Sequence, residues 1–561
     1  MEKSYIIIYN IPVDRLEENL KNNNINRYII LNNTIVALYV DDSFNEDILD
    51  RIDGIIWWER SSVMSSLIEL TNNLPNGETV RTAAGTEYIY KNPYISPTGK
   101  DIIIAIIDSG INYLHPDFIK SDNTTKIISI WDQESTLKPP PEGYLFGSEF
   151  TREEINEYIK RNDSSLSVDN IGTGTIAAGI VAGLGHGNSN YDGVAVDSEL
   201  VVIKLKSYKD TFAKGKVNYE ESDFLAGIKY ALEVADRENK RMVINLTVGG
   251  RSTSGIEVSM LDSFEDLGGS GRIVVCGAGN EGNTDIHYSG NIQMADKSQD
   301  IIIQVGEQVN LDITLCPIGP DKIGAAIISP GGEMGYVINY TPEPFVYRGR
   351  FNLEDTSYEM RYIYPWIKSG NEMLDITLKN IKPGIWTLRI FPEFIINGNY
   401  SVYLPNKNLI SPQTRFTDSS SDATITLFGV IKKVITVGAY NDRTDSLWIG
   451  SSKGPVVKRQ IKPDIVAPGV DIIGPYQNDS YNTATGTGVS SSVVAGIVAI
   501  MMSYIISQEE ESRNLLFSEP LKTFLMLGAT RKEIYTYPNM AQGYGILNLR
   551  NTLAAISNNI E

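Results

Sequence analysis

Side chains that titrate near neutral pH are few in this 561-residue chain. The chain contains three histidines, His115, His186 and His287, and two cysteines, Cys276 and Cys316. Nucleophilic catalysis needs a base beside the attacking hydroxyl or thiol. Cys276 ends the apolar run RIVVC and has no His or Lys beside it in the sequence, so we expect it to pack rather than to react.

The elements that would position a site follow from four apolar runs: DIIIAIIDSG, LVVIKLK, RMVINLTVGG and RIVVCGAGN. Each run ends in a polar or glycine-rich turn, and helical stretches separate them. This alternation is typical of a parallel sheet with helices on both faces. In such sheets, ligands bind beyond the carboxyl ends of the strands, which is where Asp108 lies.

The first 85 residues have a different pattern. The segments YIIIY, VDRLEENLKNN, RYIIL, TIVALYV, FNEDILDRI and IIWWERSSV give the order β-α-β-β-α-β. This order predicts a small α+β unit of the split βαβ type, and the polar stretch NNLPNGET after it is typical of a linker. We predict an N-terminal domain with its linker over residues 1–85 and the first part of the α/β domain over residues 86–291.

A third pattern interrupts the α/β region. Between residues 292 and 413 the helical stretches disappear, and short β segments such as LDITLCP, GIWTLRIF and GNYSVYL recur between turns. That spacing predicts an inserted all-β sandwich. The α/β pattern then returns with VIKKVITVGAY, so residues 414–561 form the second part of the interrupted domain.

Composition excludes several classes of function. The net charge of -20 argues against nucleic-acid binding, which needs a basic face. Two cysteines cannot form a disulfide framework, and the N-terminus lacks the pattern of a signal peptide, so we expect folding inside a cell. The longest apolar stretch, residues 493–506, is shorter than the ~20 residues that span a bilayer. It predicts a core helix and no membrane span.

Three segments, in order, resemble motifs of the subtilisin-like (S8) serine protease family. IIDSGINYLHPDF resembles its Asp motif, with Asp108 at the position of the residue that orients the catalytic His. GTGTIAAGI resembles the His helix, and GTGVSSSVVAG resembles the helix that carries the nucleophilic Ser. VVCGAGNEGN places Asn280 at the oxyanion-hole position. The resemblance covers the chain after the linker except for the insert, and it implies a subtilisin-like domain behind an N-terminal prodomain.

Two departures from the family pattern decide the expected activity. Thr173 occupies the position of the general base, and Gly488 occupies the position of the nucleophile. Thr does not titrate near neutrality, and Gly has no side chain to form an acyl intermediate. Ser490 lies about 200° around the helix from position 488, so we expect it to pack with Ser491 and Ser492. We predict a degenerate triad and no enzymatic activity.

The combination of split-βαβ prodomain, subtilase domain and β-sandwich resembles the Csp germination proteins of clostridial spores, whose sandwich is a jelly roll. The missing His and Ser match an inactive member of that family. The resemblance implies a pseudoprotease in the bacterial spore that regulates germination, linked to bile-salt and amino-acid germinants. Implied partners are the Csp siblings, both the active protease and another pseudoprotease, and the precursor of the cortex hydrolase SleC. Because release of a prodomain needs self-cleavage, we expect residues 1–85 to stay attached, with the segment before the linker in the cleft.

Two other functions remain open from the sequence. The chain could retain a residual or altered serine-type peptidase activity in the environment of Asp108 and Asn280. It could instead be a structural or chaperone component of the spore. No cofactor is expected; subtilases often bind calcium, but no loop here has EF-hand spacing, and no calcium or germinant ligands are assigned.

Overall fold

The computed structural model describes residues 2–90, 97–208, 212, 217–252, 260–264, 267–342, 345–367, 369–456, 460–508 and 514–560. The N-terminal unit is a four-stranded antiparallel sheet of order β2-β3-β1-β4. Its elements are β1 (Glu2–Tyr9), α1 (Val13–Asn22), β2 (Tyr28–Ile30), β3 (Ile35–Asp41) and β4 (Ile55–Arg60). The predicted second helix is a 3-10 helix, Glu46–Arg51. Asn45 caps it by accepting a hydrogen bond from the backbone N–H of Asp47.

A connecting segment leads from this unit into the α/β domain. It contains β5 (Val63–Ser66), β6 (Glu69–Leu70), α2 (Val80–Ala84) and α3 (Glu87–Tyr90). The predicted last strand of the N-terminal unit, IIWWERSSV, is therefore split, because β4 pairs with β1 whereas β5 pairs with strands of the α/β domain.

The α/β domain is built on a nine-stranded sheet with the main order β26-β25-β14-β12-β7-β10-β8-β9. In it, β25 (Ile435–Asn441), β26 (Ser446–Leu447) and the ninth strand, β27 (Ile465–Pro468), which pairs with β25, come after the insert. The elements before the insert are β7 (Ile102–Asp108), β8 (Ile127–Asp132), β9 (Ser148–Thr151), α4 (Arg152–Arg161), α5 (Thr173–Ala182), β10 (Glu199–Lys204), β11 (Tyr219–Glu220), α6 (Glu221–Arg237), β12 (Arg241–Leu246), β13 (Val248–Gly249) and β14 (Arg272–Gly277). The central strands are parallel, as predicted. The edge strands β9 and β26 run antiparallel, so the sheet is mixed.

The sandwich consists of a six-stranded sheet, β15-β23-β17-β21-β20-β19, and a four-stranded sheet, β18-β22-β16-β24. Its strands are β15 (His287–Asn291), β16 (Gln299–Val305), β17 (Asn310–Pro317), β18 (Lys322–Ile328), β19 (Phe345–Phe351), β20 (Thr356–Ile363), β21 (Met373–Lys379), β22 (Gly384–Phe394), β23 (Asn399–Tyr403) and β24 (Arg415–Phe416). It thus begins and ends within about five residues of the predicted insert, and its alternate residues fill one apolar core.

The chain then returns to the large sheet. The remaining elements are β25 (Ile435–Asn441), β26 (Ser446–Leu447), β27 (Ile465–Pro468), β28 (Ile472–Pro475), β29 (Tyr481–Thr485), α7 (Thr487–Ile506), α8 (Ser518–Gly528) and α9 (Leu549–Ile560). Among the described residues, only α7 is long and apolar enough to cross a membrane, and 83% of its apolar window is buried inside the fold. It packs in the core, as expected.

Both faces of the large sheet are covered. On β7, Ile102, Ile104 and Ile106 face the cluster that contains residues of α5 and α7. Ile103, Ala105 and Ile107 face the cluster formed with α6 and the N-terminal unit. This alternation explains why β7 is apolar throughout, and it fixes Asp108 at the carboxyl end of the strand, facing the starts of α5 and α7.

Candidate active-site cleft

Asp108 is the first residue of the cleft, and it is fully buried. Its Oδ1 accepts hydrogen bonds from the Thr173 hydroxyl at 2.5 Å and from the Ser109 backbone N–H at 2.6 Å. Its Oδ2 accepts one from the Thr247 hydroxyl. Burial raises the pKa of Asp108 to about 6, although these donors oppose the shift. The carboxylate is therefore satisfied by two hydroxyl groups and a backbone N–H, with no imidazole among its partners in the described part of the chain.

Thr173 begins α5 and is 3% exposed. Asp169 fixes this helix start, since its carboxylate accepts from the backbone N–H groups of Gly172 and Thr175 at 2.8 and 3.0 Å. The Thr173 hydroxyl also lies 3.0 Å from the Ser109 hydroxyl. The hydrogen bond to Asp108 thus orients Thr173, but the threonine offers no group that can accept and return a proton at neutral pH.

Gly488 and Asn280 form the opposite wall. Gly488 is the second residue of α7, so its backbone N–H points out of the helix start. The Asn280 side chain is held by its Oδ1, which accepts from the backbone N–H and the hydroxyl of Thr487 at 3.0 and 2.9 Å. This leaves the Asn280 Nδ2 free to donate across the cleft.

The acceptor of both donors is the backbone carbonyl of Leu67. Its oxygen lies 3.0 Å from the Gly488 N and 3.1 Å from the Asn280 Nδ2. Two preorganised donors at about 3 Å from one oxygen are the geometry that stabilises an oxyanion in acyl transfer. The Leu67 N–H donates to the Thr247 carbonyl at 2.7 Å, which fixes the residue from its other side.

The chain continues through the cleft on both sides of Leu67. Before it, β5 is the central strand of an antiparallel sheet with β11 and β13. After it, β6 pairs with β29. The segment 63–70 therefore lies in the cleft as an extended peptide with the carbonyl of its Leu67–Ile68 bond in the donor pair. This is the segment before the linker that we expected there.

The cleft segment fits closely against a helix start in which glycines flank Thr487. A Cβ on Gly486, whose φ is +136°, would lie 2.2 Å from the Leu67 oxygen. A Cβ on Gly488 would lie 2.8 Å from the Ile68 Cγ1 and 3.0 Å from the Leu67 carbonyl carbon. The glycines therefore allow the peptide to approach the helix backbone directly.

The three serines after Gly488 are buried and point away from the cleft peptide. The Ser490 hydroxyl donates to the Ala467 carbonyl at 3.0 Å. Those of Ser491 and Ser492 donate to the Gly488 carbonyl at 3.0 and 2.8 Å. Each hydroxyl is used within the fold, in agreement with the expected packing role.

The histidines and Cys276 are not brought to Asp108. His115 lies in a turn against the Ser480 carbonyl at 3.1 Å, and the His186 Nδ1 lies 2.7 Å from the Ile119 carbonyl. His287 is in the sandwich, where burial lowers its pKa to about 4. Cys276 is buried, and burial raises the pKa of its thiol to about 12, so it is not a reactive thiolate.

Sequence reasoning missed several residues that build the cleft. Ser109 and Thr247 hold Asp108 and Thr173, and Leu67 supplies the carbonyl between the oxyanion donors. None of them stands out by type or spacing; only the position of Ser109 directly after Asp108 could have pointed to it. No group of three or more metal-binding side chains occurs within the described part of the chain.

Comparisons with known proteins extend these observations. Residues 99–306 and 370–545 match the model of the Subtilase family. Among solved structures, the Clostridium perfringens CspB protease is similar, with 25% sequence identity and a TM-score of 0.74 over 86% of this chain and 98% of that chain.

Curated relatives include longer proteases. The PIII-type proteinase of Lactococcus lactis subsp. cremoris (strain SK11) is 22% identical over an alignment of 543 positions that covers 85% of this chain and 26% of that protein. The minor extracellular protease Vpr of Bacillus subtilis (strain 168) is 23% identical over an alignment of 476 positions that covers 82% of this chain and 52% of Vpr. The chain thus spans about a quarter to a half of the length of these relatives.

Proposed function

The chain belongs to the subtilase family, and we propose that it is a pseudoprotease of that family that regulates spore germination, similar to the inactive Csp protein CspC. Its cleft would bind its own N-terminal region and would not cut it. Residues 1–85 would remain a covalently attached prodomain, and the sandwich would correspond to the jelly roll of the Csp proteins.

One observation carries the proposal of inactivity. The Leu67 carbonyl lies between two oxyanion donors, yet position 488 offers no side-chain oxygen or sulfur to attack it. Thr173 replaces the base that would activate such a group. Loss of the nucleophile and base together typically lowers turnover by about a million-fold. The remaining donors can bind a carbonyl but cannot complete acyl transfer.

The regulatory part of the proposal is supported by relatedness to a Csp protein and by the completeness of the cleft. CspB of Clostridium perfringens is a protease, and 98% of its chain aligns with this one. We propose that this chain acts in the bacterial spore on the active Csp protease, another Csp pseudoprotease or the SleC precursor. Its state would respond to a germinant such as a bile salt or an amino acid.

Inactivity is tested by digestion of a peptide library with the purified chain, beside an Asn280→Ala variant. The proposal predicts no cleavage above the buffer background for either protein. Specific cuts that disappear in the Asn280→Ala variant would contradict it, because they would require a working oxyanion site.

Regulation is tested by reconstitution. The purified chain is mixed with an active Csp protease and the SleC precursor from one organism, and precursor cleavage is followed over time. We expect co-purification with at least one of them and a changed cleavage rate. The absence of both effects, together with normal germination of spores that lack the chain, would contradict the regulatory role.

A further inference from the structure

A cavity lies where the N-terminal unit, the α/β domain and the sandwich meet; we refer to it as the junction cavity. Its volume is about 130 Å³. Its roof is residues 59–63, which lead directly into the cleft strand β5. Its floor is the outer face of the six-stranded sheet, and Arg251 and residues 403–405 form one wall.

The floor has a regular arrangement. Strands β17, β21 and β20 are adjacent, and their registers align Asp312 with Thr377 and Glu359, and Thr314 with Asp375 and Arg361. The alternate residues on these strands, such as Ile313, Ile376 and Met360, fill the sandwich core. Because side chains alternate between the faces of a sheet, the six polar residues form one polar surface that faces the cavity.

Farther along the same face the surface becomes apolar. Ile363 follows Arg361 by two residues, and it packs with Cys316, Met373, Trp366 and Tyr403. Trp366 lines the cavity, and its buried indole N–H has no hydrogen-bond acceptor among the described residues. The junction cavity therefore offers a charged region beside an apolar one.

Most charges in the cavity are paired. Arg60 lies 2.6 Å from Glu359, and Arg251 lies 3.0 Å from Asp375. Arg361 and Asp312 differ, because within the described ranges neither has an oppositely charged group at ion-pair distance. Arg361 instead stacks on the Trp58 ring, at 3.9 Å from its centroid. Burial lowers the pKa of Arg361 overall, although Glu46, Asp375 and Glu59 lie near enough for their negative charges to raise it.

Asp312 has one side-chain partner, the Thr377 hydroxyl, at 2.8 Å. Burial raises the pKa of Asp312 to about 6, and nearby Asp375 acts in the same direction, whereas the Thr377 hydroxyl, Arg251 and Arg60 oppose the shift. A cation placed against this carboxylate would stabilise its ionised form. From strand spacing and register, Asp312 and Arg361 are about 12 Å apart at Cα, with side chains on the same face.

We propose that the junction cavity binds a small zwitterion, an α-amino acid with an apolar side chain. Its carboxylate pairs with Arg361, its ammonium group pairs with Asp312, and its side chain lies against Ile363 and Trp366. Two charge-assisted contacts satisfy the two charges that have no opposite charge at ion-pair distance among the described residues, and the apolar end of the floor receives the rest of the ligand.

The position of the site connects ligand binding to the cleft segment. The ligand contacts the roof, residues 59–63, which continue into the strand that plugs the cleft. This connection depends on the proposed regulatory function, whereas the binding itself does not. A purified chain that proved to be an active protease would therefore refute the proposed function and leave the binding site to be tested separately.

The test is isothermal titration calorimetry on the full chain with L-leucine, L-phenylalanine and glycine, each up to 20 mM. L-leucinamide, which lacks the carboxylate, and 4-methylpentanoic acid, which lacks the ammonium group, are the matched analogues of leucine. We expect leucine or phenylalanine to bind with a Kd below about 1 mM and both analogues to bind at least tenfold more weakly. No binding by any of the three amino acids, or equal binding by either analogue, would overturn the proposal.

Variants locate the binding. Asp312→Asn and Arg361→Gln should each weaken binding by about 10- to 100-fold, because each removes a charged hydrogen bond. The control Arg389→Gln removes an exposed arginine that pairs with Asp300 in the other sheet, and it should bind like the parent. Unchanged binding by correctly folded Asp312 and Arg361 variants would place the ligand elsewhere. The comparison of leucine with its analogues needs only the parent and stands if a variant does not fold.

Binding should also depend on pH. The charged groups facing Asp312 include Asp375, Glu359, Arg60, Arg251 and Arg361. Since Asp312 must be ionised to accept the ammonium group, a pKa of about 6 predicts that affinity is about tenfold weaker at pH 5 than at pH 7.5. The Asp312→Asn variant should lack this dependence, and the same dependence in that variant would contradict the assignment.

Discussion

Gly488→Ala should loosen the cleft segment without damaging the fold. The new Cβ would lie 2.8 Å from the Ile68 Cγ1 and 3.0 Å from both the carbon and the oxygen of the Leu67 carbonyl. Overpacking of this kind costs about 1–3 kcal/mol. The substitution also favours the helix, since Ala replaces Gly near its start, but that gain is the same whether the segment is docked or released.

A docking penalty of about 1–3 kcal/mol raises the released fraction by about 5- to 150-fold. Hydrogen exchange with mass spectrometry measures this in peptides that cover residues 63–70, whose backbone is paired in the cleft. Peptides that cover Ile313 and Leu315, in the sandwich core, serve as the internal control and should not change. Equal exchange of the cleft segment in parent and variant would refute the idea that the segment packs directly against the backbone of Gly488.

Three further predictions follow from the cleft. Asn280→Ala removes one of the two donors to the Leu67 carbonyl and should weaken docking of the same segment by about 1–3 kcal/mol; unaltered exchange would contradict this. The pKa of Asp108 is raised from 3.8 to about 6, so the folded chain holds the proton more tightly and loses stability as pH rises towards 6. Asp108→Asn should remove about 2 kcal/mol of pH dependence between pH 4.5 and 8 in urea unfolding, and an unchanged pH profile would count against it. Cys276 should resist iodoacetamide in the native chain at pH 8, and rapid alkylation would show that its thiol is neither buried nor raised in pKa.

The sequence predicts the layers of this fold well because each has its own periodicity. The unbroken apolar runs of β7 and β12 identify the buried parallel strands, and alternation in β17 and β21 identifies the sandwich. Edge strands are harder to predict. β9 and β26 are short, and their direction depends on tertiary pairing rather than on their own residues.

The candidate site likewise has residues that the sequence predicts and contacts that it does not. Asp108, Thr173, Asn280 and Gly488 lie in recognisable motifs, and the structure brings all four to one cleft. The peptide in that cleft could not be located to the residue from sequence, because backbone groups make its contacts. A carbonyl at Leu67 has no signature in the side chains, so only the fold identifies the bond that lies between the oxyanion donors.

The central claim is that the cleft holds its own chain and cannot cut it. The most direct test is the intact mass of the parent after long incubation, beside a variant with both Thr173→His and Gly488→Ser. We expect the parent to stay at 62.1 kDa and the variant to split between Leu67 and Ile68, where the carbonyl already lies in the donor pair. Self-cleavage of the parent at this bond would contradict the claim and would require a nucleophile other than position 488.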